Sequence, residues 1–462
     1  MLTRFDRLRD ALAGSSTRLG PFRHAPRLLD VFASTFPGPS HRAVAFGFVP
    51  GRIEVLGRHT DYAGGRTLVC AVDRGFLFAA AANRLGRVRL FEESSEFEPV
   101  EFPLRPSITP PVGRWANYPM TMARRLARNF GSYLTGADIA LHSTLPVGSG
   151  MSGSSALMMV TFTAVAALNR LQNREDFRRN LPSPVDLAVY LACAENGQGY
   201  RGLAGGQGVG TFGGSEDHAA ILMGRAGVLS LFAFRPASLL AEVPWPRSWR
   251  LVVAFSGVRA EKTREALEKY NLVSRRASLA VARYNEGTGR SFSSVREIVE
   301  DARAATDARW LEKLDEGAED GLCLADRVRQ FMLEDQRHLP AALRAIAAKD
   351  NEGMGAALSR THRASKRYLW NIAAEIDWLQ RAAMRLGAAG ASGFGAGFGG
   401  SILALTEARG ARALAAEWEA EYEKRHPERS RDASFFVASP APGIQLWTSE
   451  GPKRLVDLIY GT

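Results

Sequence analysis

The sequence predicts an α+β protein of two domains, and three observations carry that reading. The chain has 462 residues, more than one hydrophobic core ordinarily serves. Its first half groups β-branched and aromatic runs punctuated by Gly and Pro, whereas its second half is dominated by Ala/Arg/Leu-rich helical patterns. Strands grouped ahead of helices suit α+β rather than a regular βαβ alternation. With 46% hydrophobic and 23% charged residues, the composition is that of a soluble globular chain.

Residues 1–35 read as helical, with Leu and Phe at helical intervals and a break near Gly20-Pro21. Ala43 to Gly57 reads as extended, and Arg66–Val72, Phe76–Ala81 and Val88–Phe91 continue as strands. Helices are predicted over 116–130 and 154–171 and from Pro182 to Ala194, followed by a Gly-rich segment from Gly197 to Gly214. His218–Met223 and Gly227–Phe232 read as a hairpin that ends the first domain, taken as 1–245. The second domain, 246–462, opens on the strand Trp249–Phe255 and runs through helical patterns from 261 to 386. The Gly-rich stretch Gly387–Gly400, the strand Ser401–Leu405, an exposed helix over 407–424 and a final strand Ala433–Val437 close it.

Charge and cysteine content narrow the function classes. The excess of 59 Lys+Arg over 48 Asp+Glu is spread along the chain, and stretches such as 417–425 carry both signs. No basic block marks a nucleic-acid arm. Cys70, Cys193 and Cys323 are odd in number and far apart, with no CxxC. That argues against a disulfide framework or Cys-rich zinc site and points to a reducing cytoplasm. The N-terminus lacks the apolar core of a secretion signal, and the helix after Ser154 is short for a membrane span.

The stretch with the most chemistry is Leu145-Pro-Val-Gly-Ser-Gly-Met-Ser-Gly-Ser-Ser-Ala156. A Gly/Ser loop opening a helix gathers unpaired N–H groups and the positive dipole end at one point, which suits phosphate. Taken alone, it fits a plain flexible loop equally well. There is no GxxxxGK[ST] and no HRD…DFG set, which argues against P-loop proteins and protein kinases. GxGxxG occurs at Gly208–Gly213 and Gly395–Gly400, but neither sits in a strand–turn–helix unit. Arg52, Arg58, His59 and Asp61 cluster around a turn closed by Gly64-Gly65, where a carboxylate and an imidazole can hydrogen-bond adjacent hydroxyls. Glu195 and Asp217 flank the Gly-rich segment. Such carboxylates serve as hard-cation ligands or proton acceptors.

Three separated motifs, in order, resemble the galactokinase branch of the GHMP small-molecule kinases. Pro50 to Gly65 is similar to that branch's sugar signature, Pro146 to Ala156 to its phosphate loop, and Gly390 to Gly400 to its C-terminal motif. Trp115-Ala-Asn-Tyr118 resembles the stretch that flanks adenine, and Lys269-Tyr-Asn271 a segment whose Tyr touches the sugar. The resemblance implies a GHMP kinase-like fold: an N-terminal mixed sheet with helices and a C-terminal α/β sandwich. It implies an ATP-dependent sugar 1-kinase using Mg²⁺. Asp217 matches the family's catalytic aspartate, as base or as electrostatic partner, and Arg52 the arginine facing it. Ser154 and Glu195 match the metal site. His59, Asp61, Gly214 and Tyr270 match sugar contacts. The loop residues Gly148, Ser149, Gly150, Ser152, Gly153, Ser154 and Ser155 match the ATP-phosphate cradle, with Trp115 and Tyr118 beside the base. The expected partners are the sugar and ATP, with no nucleic acid, no membrane and at most weak self-association.

Two departures stand out. The family carries Glu before the His-x-Asp of its first motif, where it binds the sugar's 6-hydroxyl; here that residue is Arg58. If Arg58 faces the sugar, a carboxylate-bearing uronic acid is the expected substrate; if it turns away, galactose is. The segment between Glu195 and Asp217, 22 positions apart, is longer than the family's, as a mobile flap or a surface insertion. Glu216 and His218 also replace residues usual in the family. A third reading, a non-catalytic sugar and ATP sensor, is disfavoured because the loop, Arg52, Ser154, Glu195 and Asp217 are all kept.

Overall fold

The computed structural model of the chain describes all residues except 14–19, 39–41, 95, 132, 260–263, 305–308, 318–320 and 462, and omits the side chains of 13, 264–267, 270, 303 and 304. Two sheets organise it. Among the described residues the larger has ten strands, and its main path runs 451–454, 445–448, 43–56, 66–83, 136–143, 87–92, 100–103. It is antiparallel apart from the parallel pairing of Arg87–Glu92 with Gly136–Ser143, hence mixed, as expected.

The strand Ala43–Leu56 shows why this sheet is covered on both sides. Val44, Phe46 and Phe48 point to one face and pack against Phe5, Leu8, Phe22, Leu28 and Phe32. Ala45 and Val49 point to the other and meet Met122, Leu126, Val160 and Phe162. The alternation is the period of two of an extended chain. The helices Phe5–Ala13 and Ala25–Thr35 thus dock on the outer face, and Asn117–Phe130 and Gly153–Leu168 lie behind the site.

The smaller sheet is antiparallel, in the order 390–393, 401–407, 249–255, 434–438. Val252, Ala254, Ile402 and Ala404 pack under the helices Ala374–Arg385 and Ala411–Arg425. Leu251, Val253, Leu403 and Leu405 pack against Leu339–Ala348 and Asn351–Ala364. This is the α/β sandwich.

Several local expectations are corrected. His218–Met223 forms the end of a helix, Glu216–Met223, rather than a strand. Glu216 and Asp217 occupy its first turn, where carboxylates suit the dipole, and a short apolar run has no period to betray it. The hairpin lies further on, Val228–Ala233 with Ser238–Pro244. Arg66–Asn83 is one strand, not two; Gly75 permits it, since a Cβ there would stand 2.2 Å from the Val49 carbonyl. The helix expected to be exposed buries Leu414, Trp418 and Tyr422. Finally, Gln445–Thr448 pairs with Gly47 and Phe48. The last residues therefore return to the first sheet, rather than staying with the second unit as a 246–462 division has it.

Candidate active site

A cavity of about 990 Å³ opens where the two units meet. The loop 145–155, the turn around His59 and Asp61, Trp115–Tyr118, Glu195 and the 211–218 segment line it from the first unit, and Gly395 and Ala396 from the second.

The loop is shaped by its backbone. Gly148 and Gly150 have φ of 69° and 74°, and Ser152 has 58°. These left-handed residues fold the chain tightly before the helix Gly153–Leu168, which is buried from Ser155 to Ala167. Ser152 gives the helix no side-chain cap, and its Oγ is buried without a partner. The N–H groups of the first helical turn have no partner within the helix. An orphaned hydroxyl at the positive end of a dipole is a fit for phosphate oxygens. The second unit braces this loop: Ser401 Oγ donates to Ser149 O at 2.7 Å. A Cβ on Gly395 would lie 2.6 Å from Gly150 O, so only glycine allows that approach.

Ser154 and Glu195 line the same cavity, but the direct bond comes from the next serine: Ser155 Oγ donates to Glu195 Oε2 at 2.7 Å, and His218 Nε2 lies 3.1 Å from that oxygen. Among the described residues no cluster of three His, Cys, Asp or Glu can hold a metal. One carboxylate and one hydroxyl beside a phosphate cradle still fit Mg²⁺, which commonly takes few protein ligands and completes its shell with phosphate and water.

Arg52 joins the loop to the catalytic candidate. Its Nε donates to Asp217 Oδ1 at 2.7 Å and its Nη1 to Gly150 O at 2.6 Å. Burial would lower the guanidinium's pKa, yet Asp217, Glu216 and Glu54 raise it, so it stays charged. Glu54 and Glu216 also line the cavity; Glu216 is one of the departures noted in the sequence, whereas Glu54, inside the strand Ala43–Leu56, carries no sequence signal. Burial pushes the Glu54 carboxyl up despite Arg58 and Arg52, and burial with Glu54 and Asp61 pushes Glu216 well up.

His59 and Asp61 both face the cavity. His59 Nδ1 lies 2.9 Å from Tyr62 Oη, and burial with nearby Arg327 pushes its pKa down to about 3, leaving a neutral ring. Asp61 packs against Gly214, where a Cβ would stand 1.9 Å from Asp61 Oδ2. Burial pushes the Asp61 carboxyl up to about 6. Tyr270 lies outside the residues whose side chains are described; its neighbour Asn271 lines the cavity, and its amide donates to Gly210 O at 3.2 Å.

Arg58 is the residue the structure moves out of the site. It is 1% exposed and does not line the cavity. Its guanidinium points into the second unit, with Nη2 3.4 Å from Ser392 Oγ and Nε 3.7 Å from Glu54 Oε1. The premise of a uronic-acid substrate, a guanidinium facing the sugar, is thereby removed. The Gly-rich segment is likewise pinned rather than hanging as a flap. Arg125 donates to Gln198 O at 2.6 Å, Arg128 to Gly205 O at 2.5 Å and Asn129 to Ala204 O at 3.1 Å.

At the other end of the cavity, Trp115 and Tyr118 line the wall, and the Trp115 ring lies 5.4 Å from Phe97. Residues 30–82 match a galactokinase galactose-binding signature, 117–225 the GHMP kinases N terminal domain and 342–424 the GHMP kinases C terminal. A galactokinase of Chloroflexus aggregans is 31% identical over 361 residues, 78% of this chain and 83% of that one. The chain belongs to the galactokinase family of the GHMP kinases. A galactokinase of Actinobacillus pleuropneumoniae is 26% identical, covering 86% of this chain and 94% of its own. The crystal structure of Lactococcus lactis galactokinase complexed with galactose superposes with a TM-score of 0.73 at 25% identity, over 90% of this chain and 97% of that one. A mevalonate kinase of Methanococcus jannaschii, at 15% identity and a TM-score of 0.53 over 85% of this chain and 97% of its own, shares the fold. Membership makes the chain a sugar kinase.

Proposed function

We propose that the protein is an ATP-dependent galactose 1-kinase. The observation that carries this is the Arg52–Asp217 pair, set between the Gly/Ser loop and the turn of His59 and Asp61. The loop N–H groups from Gly148 to Ser155 hold the ATP phosphates, with the adenine beside Trp115 and Tyr118. The sugar lies between Asp61 and Asp217, with His59 and the backbone at Gly214 as further contacts. Arg52 occupies Asp217 Oδ1 and so leaves the other oxygen for the anomeric hydroxyl. As that hydroxyl attacks the γ-phosphorus and ADP leaves, Asp217 takes its proton or steadies it electrostatically. Arg52, charged and fixed, offsets the developing negative charge. Ser154 and Glu195 would hold Mg²⁺, which supplies charge neutralisation on the transferred phosphates. The retained loop and Arg52–Asp217 pair favour turnover over a sensor role. A monomer or weak homo-oligomer in a reducing cytoplasm completes the proposal, supported by three free cysteines. Among the described residues no helix is long and apolar enough to cross a membrane.

An assay with Mg·ATP against galactose, glucose and galacturonate tests this. The expected product is galactose 1-phosphate, with galacturonate untouched. No transfer to galactose, or a preference for galacturonate, would overturn it.

A further inference from the structure

The turn that carries His59 and Asp61 is only partly self-supporting: Thr60 N and Oγ1 donate to Gly57 O at 3.1 and 2.7 Å, and Gly65 N to Thr60 O at 2.8 Å. Gly57 has φ 101° and His59 has φ 55°, a left-handed conformation that a bulky residue keeps only when its surroundings enforce it. The enforcement comes from the second unit. The helix Leu324–Leu333 continues into a wide π-type turn, Glu334–His338, a local irregularity often found at functional sites. Glu334 Oε1 accepts from Gly57 N at 2.8 Å and from Arg58 N at 3.3 Å. Gln330 Nε2 donates to Arg58 O at 2.9 Å, and Arg327 Nη2 donates to His59 O. Thr361 Oγ1 donates to Glu334 Oε2 at 3.0 Å and orients that carboxylate. Arg327, Gln330 and Glu334 are each 0% exposed. At the far end of the turn, Asp335 Oδ1 accepts from Arg66 N at 2.8 Å. The π turn lets two consecutive carboxylates, Glu334 and Asp335, face the two ends of one turn.

We propose that Glu334, Gln330 and Arg327 are positioning residues for the sugar: they hold the 57–60 backbone in its left-handed form and so place His59 and Asp61 in the cavity. This rests on the galactose kinase reading. None of the three lines the cavity, so they act through the turn and touch neither substrate. The phosphate loop is braced by different contacts, at Ser401 and Gly395, and the two sets come together only at Ala396, whose O lies 3.3 Å from His59 Nε2. Loosening the clamp therefore weakens sugar binding and spares ATP, because the strain released at His59 is local to the sugar end.

The test compares wild type with Glu334→Ala, Glu334→Gln and Gln330→Met, measuring KM for galactose and for ATP, galactose affinity by calorimetry, and Tm. The wild-type assay comes first. A wild type that phosphorylates no galactose fails the functional reading, and the variants are judged only in an active protein. Glu334→Ala and Gln330→Met are expected to raise the galactose KM and Kd at least about tenfold, with the ATP KM within about twofold. Glu334→Gln keeps an acceptor for Gly57 N and is expected to fall between. Should Glu334→Ala fail to fold, Gln330→Met decides. Sugar and ATP constants that rise together, or a galactose KM unmoved in a folded Gln330→Met protein, would overturn the proposal.

Discussion

The phosphate loop and the sugar turn are built on opposite plans. The loop takes its shape chiefly from its own backbone, with left-handed Gly148, Gly150 and Ser152 and a helix start, and side chains of Ser401 and Arg52 only brace it. The sugar turn also has residues of positive φ, Gly57, His59 and Gly64, and beyond its own bonds at Thr60 it is held by side chains supplied from elsewhere in the chain. Glu334, which accepts from Gly57 N, lies 277 positions downstream. A backbone-built site tolerates change around it so long as its glycines stay. A site held by distant side chains can be altered at either end, at the turn or at the residues that reach it.

The largest effect is expected where the two plans meet. Asp217→Asn should lower kcat by about a hundredfold to ten-thousandfold, while galactose and ATP each still bind in calorimetry. Wild-type turnover by this variant would break the assignment. A paired substitution sharpens the contrast. Gly214→Ala pushes a methyl group into Asp61, 1.9 Å from its Oδ2, and should raise the galactose KM about tenfold with little change for ATP. Gly150→Ala forces a side chain into φ 74°, a strain of about 1–2 kcal/mol, and should raise the ATP KM by about tenfold with little change for galactose. If both variants disturb both substrates equally, the two regions are not separable.

The smallest effect concerns Asp61. Burial raises its carboxyl from 3.8 to about 6 in the folded protein. The native state therefore holds that proton more tightly than the unfolded chain between about pH 4 and pH 6. Stability falls as pH rises through this window, and the penalty is complete above about pH 6. Asp61→Asn should then gain about 3 kcal/mol of stability at pH 8 and almost none at pH 4, by urea denaturation, while weakening galactose binding. An equal change at both pH values would contradict the assignment.

What the sequence discloses follows the same division. Leu145 to Ala156 announces an anion cradle because glycines, serines and a helix start are contiguous there. The grouping of strands before helices was enough for α+β. The orientation of Arg58 was illegible, because its residue type fits both a sugar contact and a buried anchor, and the residue Ser392 that receives it lies 334 positions away. Glu334 and Gln330 sit in an ordinary-looking helical pattern, and only the fold brings them to the turn. His218–Met223 misled for a different reason: six apolar-rich residues carry no period, and the deciding signal was the two carboxylates before them.

The return of Gln445–Thr448 to the strand Ala43–Leu56 has a consequence for how the protein is made. The first sheet cannot complete this edge until Gln445–Thr448 have left the ribosome, because the second unit is synthesised in between. Pairing between strands so far apart in sequence forms slowly, and the strand edge at Gly47 and Phe48 stays open meanwhile, a template for other strands. Chains truncated before Ile444 should therefore aggregate during synthesis, although every residue assigned to phosphate transfer has already been made.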